Sequence, residues 1–216
     1  MIEIRTKLIP VAKLSKEIGP PHNDSTMKLT PEKPHVVMMG DSITANWVNL
    51  SGTFFADNGL IERGIIGQTS AQMVMRFSAD VLALNPQVVH LMAGINDIAE
   101  NEDPYDAVVT TNNLKAMVSM AKAYGIKVVM ASVSPATSFA WRMELGNRHD
   151  QIVALNVWIK ELCAVEGFIY CDYWPVLALP DGSLKPELGL DSVHPNAAGY
   201  AVMGPVALAA IEAALA

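Results

Sequence analysis

Short apolar runs alternate with longer segments of helical period along almost the whole chain. The runs at 36–39, 61–66, 87–93, 126–132 and 168–172 have strand length and strand composition. The segments at about 69–84, 105–124, 148–166 and 196–215 carry helical patterns. Near 150, Ile152, Leu155, Ile159 and Leu162 fall on one side of a helix and read as a core stripe. Gly125 and Gly167 stand where helix C-caps belong, and Asn85-Pro86 ends the helix before the third strand. A strand–helix alternation of this kind predicts a parallel sheet with right-handed crossovers and helices on both faces, a three-layer α/β/α sandwich of five strands. Functional loops are then expected at the carboxyl ends of the strands. Residues 1–34, with Pro10, Gly19-Pro20-Pro21 and Pro31, read as an irregular segment that wraps the domain or serves a partner; 35–216 form the domain.

The first strand pattern ends in Gly40-Asp41-Ser42-Ile43-Thr44, with Thr44 to Trp47 resembling the opening turn of a helix. A serine on such a turn is exposed as a nucleophile, with its N–H at a helix N-terminus that favours negative charge. A phosphate-cradling loop or a plain strand-to-helix connection would read the same way. Far downstream, Asp191-Ser192-Val193-His194-Pro195 offers what a serine nucleophile lacks, an imidazole to take its proton and a carboxylate to orient that imidazole. By itself this pair is equally an Asp-x-x-His on the surface ahead of the last helix.

Two middle segments supply potential anion donors. The strand at 87–93 leads into Gly94-Ile95-Asn96-Asp97, where the Asn96 amide can donate to a developing oxyanion, and the run after Leu60 ends at Gly67, whose N–H a ligand can reach without side-chain obstruction. An ordinary capping asparagine and an ordinary turn glycine are the plain alternatives.

Taken together, four ordered blocks resemble the SGNH hydrolases, the GDSL-type esterases and lipases: Gly40-Asp41-Ser42-Ile43, Arg63-Gly64-Ile65-Ile66-Gly67, Gly94-Ile95-Asn96-Asp97 and Asp191-Ser192-Val193-His194. The resemblance spans about residues 34–215. It implies a flavodoxin-like parallel sheet, Ser42 as nucleophile, His194 as general base and Asp191 as its partner. It also implies an oxyanion hole formed by the Ser42 and Gly67 N–H groups and the Asn96 side chain. Isoleucine at 43 replaces the leucine of the family's name, a conservative departure. No cofactor is implied.

Composition narrows the partners. A net charge of −7 and a pI near 5.2 argue against nucleic acid or an anionic membrane, both of which call for a basic face. No run approaches the roughly 20 apolar residues of a membrane span, and charges at Glu3, Arg5, Lys7, Lys13, Lys16 and Glu17 interrupt any secretory apolar stretch. The chain as given reads as cytoplasmic, or as periplasmic or secreted if a leader has been removed. Cys163 and Cys171 read as two buried thiols in a reduced compartment, with a disulfide between them as the alternative, and without a Cys/His cluster at ligand spacing no metal is expected. His90, inside an apolar strand, reads as a satisfied core histidine, whereas His22, His35 and His149 look peripheral. The N-terminal arm could mediate a homo-oligomer.

For the substrate, Asp41, Trp47 and Trp141 are the candidate contacts. Trp47 follows the nucleophile by one turn, and Trp141 lies in the loop after the fourth strand, which borders the cleft in this topology. Aromatic faces beside a polar rim suit a sugar ring or a small acyl pocket. Gly-Asp-Ser-Ile-Thr with Asn46-Trp47 close behind resembles the carbohydrate-acetylesterase branch, which implies removal of O-acetyl groups from an oligosaccharide such as one derived from xylan. A lysophospholipase, arylesterase or thioesterase is the alternative within the family. A non-catalytic carbohydrate- or phosphate-binding module is the alternative outside catalysis.

Overall fold

The computed structural model describes residues 35–216; the segment 1–34, with its expected arm and His22, lies outside the described residues. Five parallel strands form one sheet in the order β2-β1-β3-β4-β5: β1 Val36–Gly40, β2 Leu60–Gly64, β3 Val88–Leu91, β4 Lys127–Ala131 and β5 Ile169–Cys171. This is the flavodoxin-like α/β arrangement that the alternation and the resemblance led us to expect. The interior strand β1 is buried at every position, the continuous apolar run of a parallel strand covered on both faces. Val36 pairs with Leu60 on one side and Val88 on the other, and from there Val88 pairs with Lys127 and Val129 with Ile169. The edge strand β2 is buried only at Leu60, and the rest of it, Glu62 and Arg63 included, is partly buried.

The four long helices are α3 Ser70–Asp80, α5 Ala107–Ala123, α6 His149–Glu166 and α8 Ala197–Leu215, within a residue or two of the sequence reading except where Asp80 ends α3 and a 3₁₀ turn, Leu82–Leu84, carries the chain on. Local chemistry sets their starts. Thr69 and Gln72 make a capping box at α3, Asp106 accepts from Val108 N and Val109 N at 2.7 and 3.2 Å, and Asn196 accepts from Gly199 N at 3.0 Å. Three short helices escape a periodicity argument because each is too short to show one: α2 Phe54–Asn58, α4 Ile95–Ile98 and α7 Trp174–Leu177. A further helix, α1 Ser42–Leu50, begins at the serine itself.

Several expectations are corrected here. The second strand stops at Gly64, since the chain of α1 crosses it closely: a Cβ on Gly64 would lie 2.3 Å from Ala45 N. Ile65 and Ile66 therefore leave the sheet and stand exposed, Ile66 at 71%. Helix α8 runs 19 residues at a mean hydropathy of 1.5, so one segment does reach the length and apolarity of a membrane span. In this fold it packs on β3, β4 and β5, and its Tyr200 donates to Ile43 O at 2.8 Å. His90 is wholly buried and shares a 2.8 Å hydrogen bond with Tyr173, but only through Nε2, since Nδ1 has no partner. Burial pushes it down to about 4, so the ring is neutral at pH 7. Cys163 and Cys171 are buried and unpaired.

Trp47 and Asp41 both face inward, contrary to the expected substrate contacts. Trp47 is 1% exposed and stacks on Phe54 and Tyr200 at 5.8 and 5.4 Å, with Phe55 and Tyr173 edge-on. A residue one turn beyond the helix start points back over the sheet, so this indole seals α1 to α8 instead of lining a cleft. Asp41, also 1% exposed, is the N-cap of α1 and accepts from Ile43 N at 2.9 Å. Burial pushes its carboxyl up to about 6, only partly offset by the Ile43 N–H and by His194.

Two expected outcomes follow from this inward packing. Trp47→Ala should cost about 3–5 kcal/mol of stability by urea unfolding; a loss below about 1 kcal/mol accompanied by altered selectivity among sugar esters would put the ring in the cleft after all. For Asp41 the folded value lies above the unfolded 3.8, so its favourable contribution is complete below about pH 4 and is lost as pH rises through about 6. Asp41→Asn removes the titration while keeping an acceptor for Ile43 N. Its melting temperature relative to the unsubstituted protein should accordingly climb between pH 4 and pH 7.5; a difference constant across that range would contradict the buried charge.

Candidate active site

The serine sits where β1 gives way to α1. The chain turns sharply at Gly40, where a Cβ would lie 2.1 Å from Thr44 Oγ1 and 3.0 Å from Met92 O, so only glycine lets the turn close. Ser42 opens α1 with 7% of its surface exposed, and its Oγ lies 2.9 Å from His194 Nε2. Arg76, reaching over from α3, pins this turn: it donates to Gly40 O at 2.9 Å and to Arg63 O at 3.0 Å, tying the ends of β1 and β2, while Asp80 balances its charge at 2.8 Å. Sequence reading passed over Arg76, because one arginine on an amphipathic helix looks like any solvated charge.

Asp191 and His194 come from the loop leading into α8. Leu190 N donates to His194 O at 2.7 Å, closing the loop, and Ser134 and Ser192 tether it to the loop after β4 through Val193 O and Ser138 O. His194 Nδ1 lies 2.8 Å from Asp191 Oδ2, while Asp191 Oδ1 accepts from the backbone N–H groups of Val193 and His194, both at 2.8 Å. Partial burial disfavours the Asp191 charge, but these donors and the imidazole outweigh it and hold the carboxyl below its ordinary value. An ionised Asp191 places the imidazole hydrogen on Nδ1, leaving Nε2 to accept from Ser42 Oγ–H.

Gly67 and Asn96 follow β2 and β3, the two neighbours of β1, so their loops flank the loop of Ser42. Gly67 has φ +77°, a left-handed conformation that a side chain would strain. Asn96, 3% exposed, lies in α4; its Nδ2 donates to Gln68 O at 3.0 Å, which engages one of two amide hydrogens. Next to it, Asp97 holds α4 to α3 by accepting from Ser70 N at 2.8 Å and Ser70 Oγ at 2.5 Å. Asn101 Nδ2 bonds to Asn96 Oδ1 at 2.7 Å and Gly67 O at 3.2 Å. The Trp141 ring, 42% exposed, is 5.9 Å from the His194 ring, and its Nε1 donates to Asn101 Oδ1 at 2.8 Å.

The structure thus brings Ser42, His194 and Asp191 into one hydrogen-bonded series, links Gly67 to Asn96 through Asn101, and adds Trp141 at the open side. Asp41 and Trp47 stay out of it. A hydroxyl with a base, an oriented base and nearby N–H donors can carry out acyl transfer to serine followed by hydrolysis. Among the described residues no group of three or more His, Cys, Asp or Glu side chains could hold a metal ion.

Residues 38–202 match the GDSL-like lipase/acylhydrolase family. A GDSL-like lipase from Bacteroides thetaiotaomicron is 40% identical, with 83% of this chain and 88% of that one covered and a TM-score of 0.81. A candidate acylhydrolase from Bacteroides fragilis is 38% identical over 86% and 92% of the two chains, with a TM-score of 0.82. At 18% identity, a catalytic mutant of an acetylxylan esterase from Geobacillus stearothermophilus shares the fold, with 82% and 94% covered and a TM-score of 0.62. Among curated proteins none matches. With three quarters of its length inside the family match and a 40% identical relative of the same description, the chain belongs to the GDSL-like lipase/acylhydrolase family of ester hydrolases.

Proposed function

We propose that the chain is a serine esterase that removes short acyl groups, acetyl above all, from carbohydrate hydroxyls. Ser42 Oγ attacks the ester carbonyl as His194 Nε2 takes its proton, forming a tetrahedral intermediate whose oxyanion is met by the Ser42 and Gly67 N–H groups and by the free hydrogen of Asn96 Nδ2. Collapse breaks the bond to the alcohol, and His194 returns the proton to the departing sugar oxygen. Water then attacks the acetyl-Ser42 ester with His194 as base again, releasing acetate and the free serine.

The observation that carries the reading is the position of Trp141. The leaving alcohol must receive its proton from His194, so it has to lie beside that imidazole, and the exposed face there belongs to the Trp141 indole at 5.9 Å. A flat aromatic face suits the carbon face of a sugar ring. The apolar cavity of about 430 Å³ between Leu50, Phe54, Tyr200 and Leu208 shares no wall with Ser42, His194 or Asn96, so it is not the acyl pocket. The acetylxylan esterases of the same fold are in keeping with this choice at the level of architecture.

A second reading has one observation in its favour. Ile65 and Ile66, exposed ahead of Gly67, could receive a longer acyl or aryl group, as a lysophospholipase or arylesterase would require. The p-nitrophenyl esters from acetate to decanoate, assayed beside an acetylated xylo-oligosaccharide, separate the two. Highest kcat/KM for acetate, acetate release from the oligosaccharide, and a loss of at least about 10³-fold in Ser42→Ala are expected. A kcat/KM that rises steadily to decanoate, gaining from burial of each added CH₂, would favour the second reading; tight sugar binding without any turnover would make the protein a binding module.

A further inference from the structure

Asn101 lies outside every sequence block that pointed to the site, yet its side chain makes three hydrogen bonds inside it. An asparagine side chain offers two N–H donors and a carbonyl oxygen. Here one nitrogen serves Asn96 Oδ1 at 2.7 Å and Gly67 O at 3.2 Å, and the oxygen receives Trp141 Nε1 at 2.8 Å. All three partners are elements of the site described above. A plain loop asparagine capping its own turn would instead bond its near neighbours in sequence.

The backbone brings the side chain to this place. Glu100 adopts φ +53°, an uncommon conformation for a residue with a side chain, and the next N–H, that of Asn101, returns to Asn96 O at 3.1 Å. The turn folds Asn101 back over Asn96. Glu100 itself is held from the segment that carries Trp141: Arg148 reaches its carboxylate at 2.8 Å, and Arg142 donates to its carbonyl.

Orientation is the consequence. Asn96 can present an N–H to an oxyanion only if its amide is turned with Oδ1 away from the substrate, and the Asn101 donor holds Oδ1 in that sense. Reversing the Asn96 amide would set Nδ2 against the Asn101 Nδ2 and Oδ1 against Gln68 O, so both bonds would become repulsions. Reversing Asn101 would likewise set oxygen against the Asn96 and Gly67 oxygens and nitrogen against the indole N–H. The network therefore has one satisfied arrangement, and a site aimed before the charge develops costs no reorganisation when it does.

Resting on the oxyanion reading above, we propose that Asn101 is a positioning residue that fixes the Asn96 amide in its oxyanion-binding orientation, holds Gly67 in place through its carbonyl and joins both to the Trp141 wall. It does not touch the reacting atoms and acts through Asn96. Its removal should lower the rate of the chemical step and leave ground-state binding nearly as it was.

Steady-state kinetics on p-nitrophenyl acetate with Asn96→Ala, Asn101→Ala, Asn101→Asp and the double variant Asn96→Ala/Asn101→Ala, each beside its melting temperature, tests this. Asn96→Ala should lower kcat by about 10²–10³-fold. Asn101→Ala should lower it by about 10–100-fold with KM within about threefold, and the double variant should be no more than about threefold slower than Asn96→Ala, because effects through a shared residue do not add. Asn101→Asp keeps the shape and the acceptor for Trp141 but sets an oxygen against Asn96 Oδ1, and should be at least as slow as the alanine variant. It replaces that variant, alone and in the double, if alanine does not fold. Additive losses in the double variant, or an unchanged kcat for Asn101→Ala while Asn96→Ala is slow, would overturn the proposal and leave the oxyanion reading standing. An unchanged kcat for Asn96→Ala would overturn both.

Discussion

The parallel pairing of β1 with β2 on one side and β3 on the other is the interaction on which the site depends. A chain that returns from β2 across β1 to reach β3 opens a crevice at the carboxyl ends of those strands. The three strands deliver their loops side by side: Gly67 after β2, Ser42 after β1 and Asn96 after β3. Ser42 and the loops of Gly67 and Asn96 are thus neighbours because of strand order, well before any side chain refines their geometry.

Packing then holds that arrangement in place. β1 is buried throughout, the backbone at Gly40 and Gly64 leaves no space for a Cβ, and Trp47 with Tyr200 fastens α1 to α8 from beneath. Because α8 follows directly on the loop of His194 and Asp191, the contact that secures the helix of Ser42 also secures the helix after His194. Arg76 performs the matching task at the polar edge by drawing the carbonyls of Gly40 and Arg63 to one guanidinium. Such a fork, held by its own aspartate, gives direction as well as charge neutrality.

Much of this was legible in the sequence, and the parts that were not have physical reasons. Strand and helix order could be read from hydrophobic period, since each long element buries one stripe or one run. The blocks around Ser42, Gly67, Asn96 and His194 stood out because each joins a turn-forming glycine or proline to a polar group of definite chemistry. Trp47 and Asp41 misled because sequence spacing fixes how far a residue is from the serine and leaves open which face of the helix it takes; burial against Phe54 and Tyr200 decided that. Ile65 and Ile66 extended the apparent strand because an apolar pair at a site's rim has the same composition as one in a sheet. Asn101 and Arg76 were invisible for the opposite reason: their partners lie 4 to 40 positions away in sequence, and a lone polar residue has no pattern of its own.

The central claim is that Ser42 is the single residue acylated during turnover, and covalent trapping addresses it most directly. An alkyl fluorophosphonate transfers its phosphonyl group only to a serine activated by a base and stabilised by an oxyanion site. Intact-protein mass spectrometry followed by peptide mapping should show one adduct per chain, on Ser42, appearing in step with the loss of esterase activity and absent from His194→Ala. An adduct on another residue, or full inactivation with Ser42 unmodified, would contradict the account.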